Sequence, residues 1–84
     1  MSIVWADDAW DDYLWWDKTN PKIRIKINSL IADIDRHPFS GIGKPEPLKG
    51  ALSGYWSRRI TREHRLVYKF EKNVLSIAQC RYHY

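Results

Sequence analysis

In the second half of the chain, few side chains can move protons. The candidates are Glu46, His64 and His83, set among nine Lys and Arg. Metal-free cleavage of RNA needs little more. The substrate brings its own nucleophile, the ribose 2′-hydroxyl beside the scissile phosphate. One group removes that proton, a second protonates the departing 5′ oxygen, and a cation meets the charge growing on the phosphate. Each proton transfer contributes ~10²–10⁴-fold, and charge already in place at the phosphate contributes as much or more. A carboxylate, an arginine and a histidine form a sufficient set, and a histidine close to phosphates is readily protonated near neutrality. Each candidate also has a plainer reading taken alone. Glu46 lies between two prolines, where a glutamate is commonly a solvated loop residue. Arg65 could pair with Glu63 or Glu46. His83 stands in a terminal segment of the kind that frays.

Other chemistries lack their motifs. No glycine-rich phosphate loop follows a strand and opens a helix, and no pair of histidines has metal-ligand spacing. The sequence therefore implies no nucleotide, metal or other cofactor. The single cysteine, Cys80, excludes an internal disulfide and a cysteine-based zinc site. It fits a reducing, cytoplasmic setting. Ser2-Ile3-Val4-Trp5 is too short for a secretory leader, and no apolar run is long enough to span a membrane.

Charge is divided unevenly between the two halves. Residues 1–42 hold five Lys/Arg against seven Asp/Glu, a balance of −2; residues 43–84 hold nine against three, a balance of +6. A basic half interleaved with aromatics is the footprint of a nucleic-acid binder, although a solvated basic surface has the same composition.

The elements that must position these groups can be read from periodicity. With 84 residues the chain suffices for one domain, residues 1–84, with a thin core. Ser2–Trp5 reads as a strand. Asp7 and Asp8 open a helix at its positive end, with Trp10, Tyr13 and Leu14 along one face. Asn20-Pro21 marks a second helix, Asn as N-cap and Pro in the first turn. Ile23, Ile27, Leu30, Ile31 and Ile34 form its apolar stripe, Ile25 lies off that stripe, and His37-Pro38 ends the helix. Residues 38–54 contain all four glycines and three of the four prolines, and read as one long loop carrying Glu46. Three strands follow, 55–60, 65–70 and 74–81, with connections short enough for antiparallel hairpins. Alternation places Leu66, Tyr68 and Phe70 on one face and Arg65, Val67 and Lys69 on the other. The fold class is α+β: a strand, two helices and a three-strand meander in one sheet packed by the helices.

Several stretches are familiar: Gly43-Lys-Pro-Glu-Pro-Leu-Lys49, Leu52-Ser-Gly-Tyr-Trp-Ser-Arg-Arg-Ile60, Glu63-His-Arg-Leu-Val-Tyr68 and Cys80-Arg-Tyr-His-Tyr84. Together with Trp5, Trp10-Asp11-Asp12-Tyr13-Leu14 and Pro38-Phe39, they resemble the YoeB toxin family of the RelE/ParE superfamily along the whole chain. The resemblance implies a RelE-like, microbial-RNase-like fold and a toxin that cuts mRNA in the ribosomal A site. By position, Glu46 matches the family's general base, Arg65 its phosphate-stabilising arginine and His83 its general acid. Tyr84 matches a tyrosine that stacks the substrate base, while Lys49 and Arg59 match basic substrate contacts. The implied partners are a YefM-like antitoxin, the 70S ribosome and mRNA, promoter DNA through the antitoxin, and a second copy of the chain, for which surplus Trp15 or Trp16 would suit an interface. Three positions depart from the family pattern: Gly50-Ala51 is small for that loop, and Ala6 removes a polar cap from the first helix. The competing readings are a ParE-like gyrase poison, which should lack the Glu46, Arg65 and His83 set, and a non-catalytic RNA- or DNA-binding module, which does not require it.

Overall fold

The computed structural model describes residues 1–84. In chain order it comprises β1 (Ser2–Trp5), α1 (Asp7–Thr19), α2 (Pro21–Arg36), β2 (Glu46–Pro47), a 3-10 turn (Gly50–Leu52), β3 (Trp56–Arg59), β4 (Arg65–Glu71) and β5 (Val74–Gln79). The five strands form one sheet in the order β1-β5-β4-β3-β2. β1 runs parallel to β5 and the other pairings are antiparallel. The expected α+β class and meander are present. The 38–54 segment, expected as one loop, differs: it carries an edge strand and a 3-10 turn. Glu46 is therefore held in a ladder opposite Ser57. Pro47 beside it is tolerated because an edge strand has one free hydrogen-bonding side.

The stripe on α2 packs as its spacing requires. Ile27, Leu30 and Ile34 are fully buried, Ile23 and Ile31 border the core, and Ile25 points to solvent. Pro21 occupies the first turn, but the expected Asn20 side-chain cap is absent; Asn20 closes α1 as well, and its carbonyl accepts the Ile23 N–H at 3.0 Å. Ala6 likewise gives α1 no side-chain cap.

On α1 the face named from spacing is only partly inward: Tyr13 borders the core. Ala9 and Trp16 are buried, whereas Trp10 and Leu14 are substantially exposed. Trp10 instead stacks on Tyr13 at 5.7 Å and meets Trp5 at 5.5 Å, in an aromatic group on the surface. Trp16 faces inward because its indole N–H finds an acceptor there, the Cys80 carbonyl at 2.8 Å. It is consequently unavailable for an interface, whereas Trp15 is exposed.

β4 and β5 are joined through Lys72-Asn73, both at positive φ, as a two-residue hairpin turn requires. The helices cover the sheet face that carries Leu66, Tyr68, Leu75 and Ile77. Arg58 shares that face, opposite Leu66 in the register, and its side chain is fully buried.

All five of its N–H donors are used. They reach Tyr68 Oη, Asp33 Oδ2 and the carbonyls of His37, Ser40 and Ile42, at 2.6–3.1 Å. One guanidinium thus fixes the chain leaving α2, and Asp33 adds a bond from the Ile42 N–H. Gly41, at φ +110°, is needed twice over: a side chain there would strain the backbone and collide with the Asp33 carboxylate. The fixed loop delivers Gly43 to β3, where its carbonyl accepts the Arg59 N–H at 2.7 Å.

Candidate active site

Register places three of the predicted residues, Glu46, Arg59 and Arg65, on the sheet face away from the helices. Glu46 pairs with Ser57 and Arg59 with Arg65, and residues paired across strands, or two apart along one, share a face. Glu46, Ser57, Arg59, Arg65 and Val67 therefore lie together. The C-terminal tail crosses this face. The Tyr82 carbonyl accepts the Arg65 N–H at 3.0 Å, over β4. Two residues later the Tyr84 hydroxyl donates to Glu46 Oε1 at 3.0 Å, over β2. Ser57 and Val67, on a face free of helices, are nonetheless buried.

The Glu46 carboxylate is exposed, and Tyr84 is its hydrogen-bond partner. Arg65 is 9% exposed. Its Nη1 donates to the carbonyls of Thr61, Arg62 and His64 at 2.8, 3.1 and 3.1 Å. It pairs with neither Glu63 nor Glu46, so the plainer reading of a salt-bridged arginine does not hold. Three carbonyls anchor one nitrogen, leaving Nε and Nη2 without protein acceptors and able to bond an anion. Arg59 and Lys49 are exposed and make no salt bridge.

His83 is exposed; its ring lies 4.8 Å from that of Tyr84, and its Nδ1 is 3.3 Å from the Tyr84 carbonyl. No hydrogen bond joins His83 to Glu46 or Arg65. A shallow cleft of about 360 Å³ beside α1 is lined by Asp8, Asp11, Asp12, Gln79, Arg81, Tyr82 and His83, and contains none of Glu46, Lys49, Arg59 or Arg65. The free chain thus joins Glu46 to Tyr84 and sets Arg59 beside Arg65, while His83 lines this acidic cleft.

Reading the sequence overlooked the parts that hold the tail. Asp12 accepts the Cys80 N–H at 3.3 Å. Burial raises its carboxyl above the usual range, opposed by that bond and by nearby Arg81. His64, considered only as a titratable group, accepts the Tyr82 N–H on Nδ1 at 2.8 Å. The Arg81 guanidinium stacks 3.6 Å from the Trp15 ring and 4.6 Å from that of Tyr82. Trp16 and Asp12 lie four apart on α1, so helical spacing could have signalled a shared target. No group of three His, Cys, Asp or Glu side chains is arranged to hold a metal ion, and no helix is long and apolar enough to cross a membrane.

Comparison with known proteins agrees along the whole length. The model of the YoeB-like toxins of bacterial type II toxin–antitoxin systems matches residues 5–84. Toxin YoeB of Escherichia coli K12 is 60% identical over 84 residues, all of both chains. A YoeB/ParE toxin from Agrobacterium tumefaciens superposes with a TM-score of 0.96 at 52% identity, covering all of both chains. A heterotetrameric YoeB–YefM toxin–antitoxin complex from Staphylococcus aureus includes a chain matching at TM-score 0.94 and 47% identity, over 100% of this chain and 98% of that one. With the fold, the basic sheet face and the full-length likeness in agreement, the chain belongs to the YoeB-like toxins of bacterial type II toxin–antitoxin systems.

Proposed function

We propose that the protein is a ribosome-dependent endoribonuclease that cuts mRNA in the ribosomal A site without a metal or other cofactor, and so stops translation. Glu46 removes the 2′-hydroxyl proton. Arg65, through Nε and Nη2, meets the charge building on the phosphate. His83 protonates the departing 5′ oxygen. Lys49 and Arg59 grip the flanking backbone, and Tyr84 leaves Glu46 to stack on the substrate base. Residues 1–84 act as one domain.

The observation that carries this reading is the path of the tail. It crosses the open sheet face and brings Tyr84 onto Glu46, 38 positions away in sequence, at 3.0 Å. A module that only gripped phosphates would have no use for a carboxylate beside Arg59 and Arg65 on its basic face. The staphylococcal complex supports a YefM-like antitoxin as partner; that antitoxin would carry the link to promoter DNA. Exposed Trp10 and Trp15 suit contact with a second copy of the chain. The setting is the bacterial cytoplasm, where 70S ribosomes and mRNA meet.

Fragment mapping on programmed ribosomes tests the reading. The expected cuts lie within the A-site codon and leave a 5′-hydroxyl and a 2′,3′-cyclic or 3′-phosphate. Fragments ending in 5′-phosphate would contradict the acid–base mechanism. Intact mRNA with broken DNA in gyrase reactions would favour a gyrase poison.

A further inference from the structure

β5 ends at Gln79, and the last five residues leave the sheet for the basic face. Cys80 is held at both backbone polar atoms, its N–H by Asp12 and its carbonyl by Trp16. Tyr82 is held in the same manner: its N–H donates to His64 Nδ1 at 2.8 Å and its carbonyl accepts the Arg65 N–H at 3.0 Å. Tyr82 has φ +62°, in the left-handed region that bulky side chains rarely adopt, so its contacts must impose that conformation. Beyond this residue the chain reaches β2, where Tyr84 meets Glu46.

His64 is built for the task. Its ring stands edge-on to buried Trp16 at 4.8 Å, which fixes one wall of its position. Its backbone N–H is satisfied by Thr61 Oγ1 at 3.2 Å, and its carbonyl accepts the Ile60 N–H at 3.0 Å and Arg65 Nη1 at 3.1 Å. A backbone amide can only donate, so Nδ1 must be the bare nitrogen and the ring proton sits on Nε2.

We propose that His64 is a positioning residue of the nuclease: its Nδ1 locks Tyr82 in the left-handed turn and thereby sets where His83 and Tyr84 stand against Glu46 and Arg65. The role rests on the reading of His83 and Tyr84 as working groups, but the lock itself can be tested without any RNA.

Two variants separate the acceptor from the ring. His64→Phe keeps a ring against Trp16 and removes the acceptor. His64→Asn sets Oδ1 where Nδ1 stands and gives up the ring. In His64→Phe, hydrogen exchange at the Tyr82 amide should quicken by about tenfold or more. Cleavage at saturating toxin should slow about tenfold or more, with half-saturation within about twofold of wild type, because ribosome contacts are intact while the acid is misplaced. His64→Asn should recover most of both. Unchanged Tyr82 exchange in His64→Phe would overturn the proposal; so would His64→Asn proving as poor as His64→Phe, which would make the ring's packing the whole role. Nitrogen NMR of wild-type His64 gives a check that no variant's folding can spoil: a proton on Nδ1 would also sink the lock. Should wild type fail to cut ribosome-bound mRNA, the nuclease reading falls by itself, and Tyr82 exchange still decides whether His64 holds the tail.

Discussion

Replacing Arg58 by methionine removes the fully buried guanidinium that ties α2, the 37–43 segment and β3 together. Methionine has nearly the stem of arginine, so the loss is chiefly polar. Five hydrogen bonds disappear. The carbonyls of His37, Ser40 and Ile42 and the Asp33 carboxylate lose their partner, although Asp33 keeps the Ile42 N–H and Tyr68 still donates to the Pro38 carbonyl. Removing one member of a buried, hydrogen-bonded ion pair costs about 3–5 kcal/mol. A chain of this length has roughly 4–13 kcal/mol in all, so roughly a quarter or more of its stability should go. With a urea slope of about 1–1.5 kcal/mol per molar, the midpoint followed by tryptophan fluorescence should fall by roughly 2–5 M.

Two controls sharpen that prediction. Adding Asp33→Leu to Arg58→Met should restore part of the loss, because no carboxylate is then left unpaired. Acid dependence should also change. The Arg58 bond, and then the Ile42 N–H, hold the Asp33 carboxyl below its usual value. A carboxylate depressed on folding contributes stability that is fully present above the unfolded value, about 3.9. That contribution fades as pH falls through the depressed folded value. Wild type should show this acid-labile component, and Arg58→Met should lose the larger part of it while keeping what the Ile42 N–H supplies. A single variant within about 1 kcal/mol of wild type, or a double variant losing both contributions in full, would refute the role given to this network.

Further expectations follow from the tail and the site. Cys80 is fully buried, and burial, with Asp12 nearby, pushes its thiol up to about 12. At pH 8 the thiolate fraction is then about 10⁻⁴, so thiol reagents should label the folded chain orders of magnitude more slowly than the urea-unfolded one; equal rates would contradict the packing of β5 on α1. Tyr84→Phe loses the bond to Glu46 but keeps the ring, and should cut within about tenfold of wild type, with Tyr84→Ala well below it; equal defects would tie the role of Tyr84 to its hydroxyl instead. Deleting His83 and Tyr84 should abolish growth arrest and leave antitoxin binding largely intact, and persistent toxicity would remove both residues from the mechanism. Cutting of naked RNA should survive EDTA, whereas strict dependence of the chemical step on a divalent ion would overturn the cofactor-free scheme.

What could be read from the sequence is what repeats along it. The Ile27, Leu30, Ile34 stripe and the alternation of Leu66 and Tyr68 are local patterns, and each packs accordingly. Glu46 escaped as a strand residue because two paired residues carry no periodicity, and an edge with proline looks like a loop. On α1, spacing grouped Trp10, Tyr13 and Leu14 without showing which face turns inward; Ala9 is what lets the helix approach β5, and Trp16 turns inward for the Cys80 carbonyl. Arg58 was legible only in part. Alternation puts it with Trp56 on the core side, but its partner Asp33 lies 25 residues away on the far side of a loop. In the site, the resemblance supplied residue types, while the means of holding them came from contacts across 64 and 18 residues, Trp16 to Cys80 and His64 to Tyr82. Long-range contacts of that kind have no signature in one sequence.

The central claim is that Glu46, Arg65 and His83 carry out acid–base cleavage of ribosome-bound mRNA. Single-turnover cutting on programmed ribosomes, comparing wild type with folded Glu46→Ala, Arg65→Ala and His83→Gln, tests it most directly. The account predicts that each variant slows the chemical step by about 10²-fold or more at saturation. Folded Glu46→Ala and His83→Gln variants that cut at the wild-type rate would contradict it.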